Sequence, residues 1–227
     1  MHIEINSPDG NKISGNLQKK EPNRQLLIIC HGYKITQEHP ALKTIAQKLH
    51  KKGHAVFTFN FSDDKTGLNL PQQVSDIRAV IAHFKTYEEI ILLAGSFGAL
   101  STAIVATNSP KVKSLITNNG FFGGGQLGGR VRRIYLVFRL LSLLNTRYRA
   151  IWTYYKENFQ PKKITIPTLV MHSLVDKTVS IRQSRMFFSA LRGKKQFTEL
   201  QRADHELLKG NELDTIVNTI DAWIRAL

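Results

Sequence analysis

One cysteine, Cys30, stands in 227 residues. That excludes an internal disulfide and a thiolate zinc cage, and it fits a reducing compartment. Cys30 ends the apolar run Leu26-Leu27-Ile28-Ile29 and reads as a small buried hydrophobe. No apolar run approaches the roughly 18 to 20 residues that span a bilayer. No secretory leader is visible, because His2-Ile3-Glu4-Ile5-Asn6 already alternates like a strand. No H-E-x-x-H occurs either, so the metalloprotease signature is missing. These absences predict a cytoplasmic protein that works without metal or cofactor.

Acidic residues are scarce too: 17 against 32 Lys and Arg, for a formal net charge of +15. About half of that excess lies between Arg130 and Lys163, where nine basic residues accompany a single acidic one, Glu157. Such a surface can be a solvated basic face, or it can attract anionic lipid, acidic substrates or nucleic acid. Nucleic acid is set aside, since no recognised binding motif accompanies the charge. Peripheral contact with an anionic membrane stays open. The run Ile134 to Leu141 is apolar almost all round, and Arg132 and Arg139 share a helical face.

The length suits one domain covering residues 1–227. Short apolar or β-branched runs occur at Leu26 to Cys30, Ala55 to Phe61, Ile90 to Leu93, Val112 to Thr117 and Ile166 to Met171. Helical periodicity lies between most of them: Leu42, Ile45, Ala46 and Leu49 share one face, as do Val74, Ile77, Ile81 and Phe84. Pro71 suits the first turn of the second helix. This alternation predicts an α/β fold with a mainly parallel sheet covered on both faces. Ile3 to Ile5 and Lys12 to Leu17, parted by Pro8-Asp9-Gly10, predict an antiparallel hairpin at the start. Ile216, Ile220, Trp223, Ile224 and Leu227 form the apolar stripe of a last helix. From about 120 to 163 the alternation breaks into a glycine run and a basic, aromatic stretch, expected to form a helical lid. Within it, Gly123 to Gly128 matches G-x-G-x-x-G, but no acidic residue follows at about 20 residues, so a dinucleotide site is rejected.

The most telling segment is Glu89-Ile90-Ile91-Leu92-Leu93-Ala94-Gly95-Ser96-Phe97-Gly98-Ala99-Leu100. An apolar strand stops at one serine between small residues, and an Ala-rich helical pattern follows at once. That is the context of a nucleophile elbow, here A-x-S-x-G, with Ala94 and Gly98 meeting the size limit. A serine nucleophile needs a general base and an acid that orients it. Asp176 follows the strand ending at His172, and His205 lies between a strand pattern and the last helix. The order Ser96, Asp176, His205 is the expected one. His172 is the nearest rival base and reads better as a packed strand histidine. Asp204 reads as a turn residue, because a neighbour in sequence reaches Nδ1 badly. Asp63 and Asp64 read likewise. His31, before Gly32, is expected to shape a loop whose backbone N–H groups face a developing oxyanion, with Tyr33 and Phe97 as the donors. His2, His39, His50, His54 and His83 read as surface residues.

With these motifs the chain resembles the α/β-hydrolase superfamily. More narrowly it resembles small bacterial hydrolases of the dienelactone-hydrolase-like, cinnamoyl-esterase-like and serine-aminopeptidase-like groups. The resemblance rests on Cys30-His31-Gly32-Tyr33-Lys34, Phe57-Thr58-Phe59-Asn60-Phe61-Ser62, the Ser96 elbow, Asp176 and Ala203-Asp204-His205, and it covers nearly the whole chain. Ala94 stands where the elbow has glycine, and Ser173 where glycine is common. The resemblance implies a serine hydrolase that cleaves a small-molecule carboxylic ester with an acyl or aryl group covered by the 120–163 segment. Peptidase, thioesterase and acyltransferase chemistry on the same fold remain alternatives, as does a basic membrane-surface binding module on a hydrolase scaffold.

Overall fold

Branched aliphatic side chains buried on both faces make the central strands. The computed structural model describes residues 1–21, 24–62, 69–123, 140 and 146–227. The strands are β1 (His2–Asn6), β2 (Lys12–Gln18), β3 (Gln25–Cys30), β4 (Ala55–Asn60), β5 (Glu89–Gly95), β6 (Val112–Asn118), β7 (Thr168–Ser173) and β8 (Lys195–Leu200). They form one eight-stranded sheet in the order β1-β2-β4-β3-β5-β6-β7-β8. The predicted hairpin β1–β2 pairs antiparallel and joins β4 antiparallel; β3 to β8 run parallel. Gly10 takes φ +81° in the hairpin turn, a conformation glycine adopts without a side-chain clash. β7 starts two residues later than its apolar run, because Pro167 has no N–H for the ladder. The Pro167 carbonyl instead accepts from Leu115 N–H at 3.1 Å.

The helices are α1 (Pro40–Lys51), α2 (Leu70–His83), α3 (Ser96–Asn108), α4 (Thr146–Asn158), α5 (Ile181–Ala190) and α6 (Leu213–Arg225), with a 3₁₀ turn at Pro161–Lys163. Two apolar clusters show which face each covers. Ile45, Ala46 and Leu49 of α1 and Ile216, Val217 and Ile220 of α6 pack on one face with Ile29, Leu93 and Ile116 of the sheet. Val74 and Ile77 of α2, Leu100 and Ala103 of α3, Ile151 of α4 and Phe187 of α5 pack on the other. Trp223 spans the first face and donates from Nε1 to Ser114 Oγ at 2.9 Å, so its indole N–H is buried but satisfied.

The chain leaves β3 over one face through α1, and leaves the adjacent β5 over the opposite face through α3. The connections diverge there, opening a crevice beyond the carboxyl ends of the two strands, where α/β sheets bind their ligands. Below it, Asp76 of α2 is wholly buried. Burial raises its carboxyl, while bonds from Ser62 and Gln72 act against that rise. These bonds tie the exit of β4 to α2.

About half of the expected lid, 124–139 and 141–145, lies outside the described residues, as do Asp63, Asp64, most of the G-x-G-x-x-G match and nearly all of the apolar-basic run. The described end of that segment is α4, whose aromatics pack on the core. Tyr154, Tyr155 and Phe159 lie against the α2–α3 cluster, and Phe122 stacks on Phe187 at 4.0 Å between centroids, with Phe159 about 6 Å from both. Among the described residues no helix is long and apolar enough to cross a membrane.

Candidate active site

Five loops meet beyond the carboxyl ends of β3, β5, β6, β7 and β8. Ser96 is the first residue of α3 and takes φ +50°, strained for a residue with a side chain. The sharp turn lifts its hydroxyl out of the strand-helix junction. Two glycines permit it. A Cβ on Gly98 would lie 2.4 Å from the His31 carbonyl oxygen, and one on Gly32 would lie 2.9 Å from Ser96 Cβ. Ala94, at 1% exposure, fills the third small position without obstruction.

The structure brings Ser96, Asp176 and His205 together from strand ends far apart in the chain. His205 Nε2 lies 3.0 Å from Ser96 Oγ, and His205 Nδ1 lies 2.7 Å from Asp176 Oδ2. Asp176 is acceptor only, so the imidazole carries its proton on Nδ1 and offers Nε2 to the serine hydroxyl. The Asp176 carboxylate is fully buried, and its Oδ1 accepts from Thr178 N–H at 2.7 Å and Val179 N–H at 2.9 Å. Those two bonds fix its aim.

The rival residues sit elsewhere. His172 is completely buried; its Nδ1 lies 2.7 Å from Ser184 Oγ and its Nε2 lies 3.0 Å from the Val179 carbonyl. Burial pushes its pKa down and keeps it neutral, a packed strand histidine 3.5 Å behind Asp176. Asp204 Oδ1 accepts from Leu208 and Lys209 N–H, which shapes the turn after His205. His31 is buried, with burial lowering its pKa; Nδ1 donates to the Gly32 carbonyl at 2.9 Å and Nε2 accepts from Phe61 N–H at 3.4 Å. Three histidines read as surface residues are half-buried: His39, His50 and His54. His54 is held by Asp221 at 2.8 Å, an acid 167 positions away that periodicity does not reveal.

Tyr33 follows Gly32 in the loop against Ser96, and Phe97 is the second residue of α3. An N–H in the first turn of a helix has no carbonyl four residues back to bond, so it is available to a ligand.

Two residues that sequence reasoning passed over hold the site. Asn119, with φ +47° and 2% exposure, follows β6. Its Nδ2 donates to the Asp204 and His205 carbonyls at 3.2 and 3.3 Å, and its Oδ1 accepts from Ser173 N–H at 2.8 Å. Ser173 in turn donates from Oγ to the Ala203 carbonyl. The base loop and the acid loop are thus bolted to each other. Glu212 adds a brace, its carboxylate accepting from the N–H groups of Gln201, Arg202 and Ala203. Among the described residues no group of three His, Cys, Asp or Glu side chains is placed to hold a metal ion.

No known family and no curated protein matches the chain by sequence. Solved structures do match. Est1E from Butyrivibrio proteoclasticus, with ferulic acid bound, aligns at a TM-score of 0.80 and 18% identity over 99% of this chain and 98% of that one. A dienelactone hydrolase from Anabaena variabilis aligns at 0.73 and 14% identity over 100% and 96%. The chain has the α/β-hydrolase fold. A third α/β-hydrolase likeness is a monoacylglycerol lipase from Paleococcus ferrophilus, at a TM-score of 0.75 and 16% identity over 94% and 98%. Nearly complete coverage on both sides means that the likeness is of whole chains. At such identities it is a statement about the fold, and the activity has to be argued from the site.

Proposed function

We propose that this α/β-hydrolase cleaves small-molecule carboxylic esters through a serine nucleophile. The observation that carries the proposal is the continuous relay from Asp176 Oδ2 through His205 to Ser96 Oγ, at 2.7 and 3.0 Å. Both distances are of the kind that allow proton transfer and orientation of the base. In the first half-reaction Ser96 Oγ attacks the ester carbonyl carbon while its proton passes to His205 Nε2. The C=O π electrons move onto oxygen, where the Tyr33 and Phe97 N–H groups donate to the oxyanion, each worth about 3 kcal/mol of barrier. Collapse breaks the C–O bond to the alcohol, which takes the proton from His205. Water then adds to the acyl-serine with His205 again as base. The carboxylic acid leaves and Ser96 regains its proton. Asp176 stays ionised throughout and stabilises the imidazolium.

Names of the structural neighbours, an esterase domain and a lipase among them, agree with ester hydrolysis. The direct test is a fluorophosphonate probe followed by mapping of the modified peptide. Labelling of Ser96 alone, suppressed in His205→Ala, is the expected result. Labelling at another serine, or none in a protein that remains folded, removes the assignment.

Asn119 has a positioning role in this scheme. Asn119→Gly keeps the positive φ accessible and deletes the carboxamide that joins the two loops. Misplacing His205 by a fraction of an ångström is expected to lower kcat by roughly 10²-fold. KM should change little, because the carboxamide bonds only to the loops. Steady-state kinetics on a short 4-nitrophenyl ester check the split; a rise in KM at constant kcat would place Asn119 in substrate binding instead.

A further inference from the structure

Beside Ser96 and His205 a cavity of about 90 Å³ runs inward between the sheet and the α1–α6 layer. Its walls are apolar: Ile29 and Leu93 from the sheet, Leu42 and Ile45 from α1, Ile216 and Ile220 from α6. This is the face opposite the one that α4 and its aromatics cover. The described aromatics of the expected lid segment therefore pack away from this cavity.

Of the polar residues that line the cavity, with Glu206 among them, Asn118 and His39 each leave a buried atom unpartnered. Asn118, at the end of β6, is only 5% exposed, lines the cavity, and its Oδ1 has no hydrogen-bond partner. His39, just before α1, also lines it, with a buried and equally unpartnered Nδ1. A buried polar atom without a partner costs about 1 to 3 kcal/mol, so two beside one cavity point to a ligand that satisfies them. A hydroxyl both donates and accepts, and so suits the carboxamide oxygen whichever tautomer His39 adopts.

We infer that this cavity is the acyl pocket, and that it selects a short acyl group carrying a hydroxyl. The inference rests on the serine-hydrolase reading above, because Ser96 defines where the acyl carbon sits. An apolar cavity of about 150 Å³ admits benzene, so about 90 Å³ admits roughly four non-hydrogen atoms. That sets the substrate class as esters of hydroxy acids of about two to four carbons. The reaction is unchanged: ester plus water gives the hydroxy acid and the alcohol.

The test uses the full-length protein with 4-nitrophenyl esters of 3-hydroxybutyrate (both enantiomers), butyrate, 3-aminobutyrate and octanoate. For one enantiomer of the hydroxy ester we expect kcat/KM about 10-fold or more above butyrate, since a site built to bond a hydroxyl discriminates against the analogue without it. Asn118→Leu is expected to bring that ratio to within about twofold of one. Leu42→Trp, at a half-exposed helix position, fills the cavity and is expected to lower kcat/KM for the butyrate and 3-hydroxybutyrate esters by at least about 10-fold. If Asn118→Leu does not fold, the wild-type ratio and the Leu42→Trp loss decide. Equal rates on butyrate and hydroxybutyrate, a preference for the amino or octanoyl ester, or a ratio untouched by Asn118→Leu overturns the inference. A small alkyl fluorophosphonate keeps the two readings apart. Labelling of Ser96 without hydroxyl selectivity leaves the hydrolase and removes the pocket; no labelling removes both.

Discussion

Ser96→Ala is expected to lower kcat on short 4-nitrophenyl esters by roughly 10⁵- to 10⁶-fold while leaving the fold intact, the size of effect seen when a triad member is deleted. Alanine removes only Oγ, whose described hydrogen bond is the one with His205. The positive φ of Ser96 persists, so the measured loss reports chemistry rather than folding. A thermal melt within a few degrees of the parent would establish that. The sharper measurement is the double variant. If Ser96, His205 and Asp176 act as one relay, Ser96→Ala with His205→Ala is no slower than Ser96→Ala alone, since a base without a nucleophile contributes nothing. Multiplying losses would mean that His205 acts on water directly. Asp176→Asn belongs to the same series. An amide presents a donor as well as an acceptor to Nδ1, so the tautomer that leaves Nε2 free loses its anchor. A fall of about 10⁴-fold is the expected outcome, by analogy with the same change in a serine protease.

The proposed triad was legible because each of its residues sits in a local pattern. Ser96 sits where an apolar run meets an Ala-rich helical pattern, and Asp176 and His205 each follow a strand. The supports of that triad follow no such pattern. Asn119 bonds Ser173 N–H and the carbonyls of Asp204 and His205, which lie 54, 85 and 86 residues away. Backbone groups carry no residue-type signal, and the positive φ of Asn119 is not written in sequence. Ser173 was noted only as a departure from glycine; its hydroxyl turns out to link the acid loop to Ala203. The sheet was read well where burial is two-sided. β8 is a weaker case: in Lys195–Leu200 only Leu200 is buried, so its hydrophobic pattern is faint. α5 was missed for a related reason, since Gln183 and Ser184 are buried polar residues on its inner face. The cavity beside Ser96 was invisible in the sequence. Leu42 and Ile45 read as ordinary core residues of α1, and only the unpartnered atoms of Asn118 and His39 set their neighbourhood apart.

Gly98→Ala sets two physical effects against each other with opposite signs. On helix propensity alone, alanine inside α3 should stabilise by about 1 kcal/mol, because glycine loses more backbone entropy on ordering. The added Cβ, however, would lie 2.4 Å from the His31 carbonyl oxygen, 2.9 Å from that of Cys30 and 3.2 Å from the His31 carbonyl carbon. All three are backbone atoms at the end of β3, which is paired on both sides by β4 and β5 and cannot give way. α3 must therefore move off the sheet, and Ser96, at its first turn, moves with it. Overpacking of this kind costs about 1 to 3 kcal/mol, and the backbone origin of the clash puts the expected loss at the upper end. The serine also leaves the 3.0 Å approach to His205, so activity should fall by about 10²-fold or more in the protein that still folds. Gly95→Ala is the control. Gly95 has φ −113°, and a Cβ there would meet only Asn118 O, at 3.5 Å. At this N-cap position alanine is disfavoured by about 1 kcal/mol or less relative to glycine, with turnover largely kept. Urea denaturation of the two variants beside the parent decides the matter: a stabilised and fully active Gly98→Ala would mean that the close approach of α3 to β3 is not what holds the nucleophile in place.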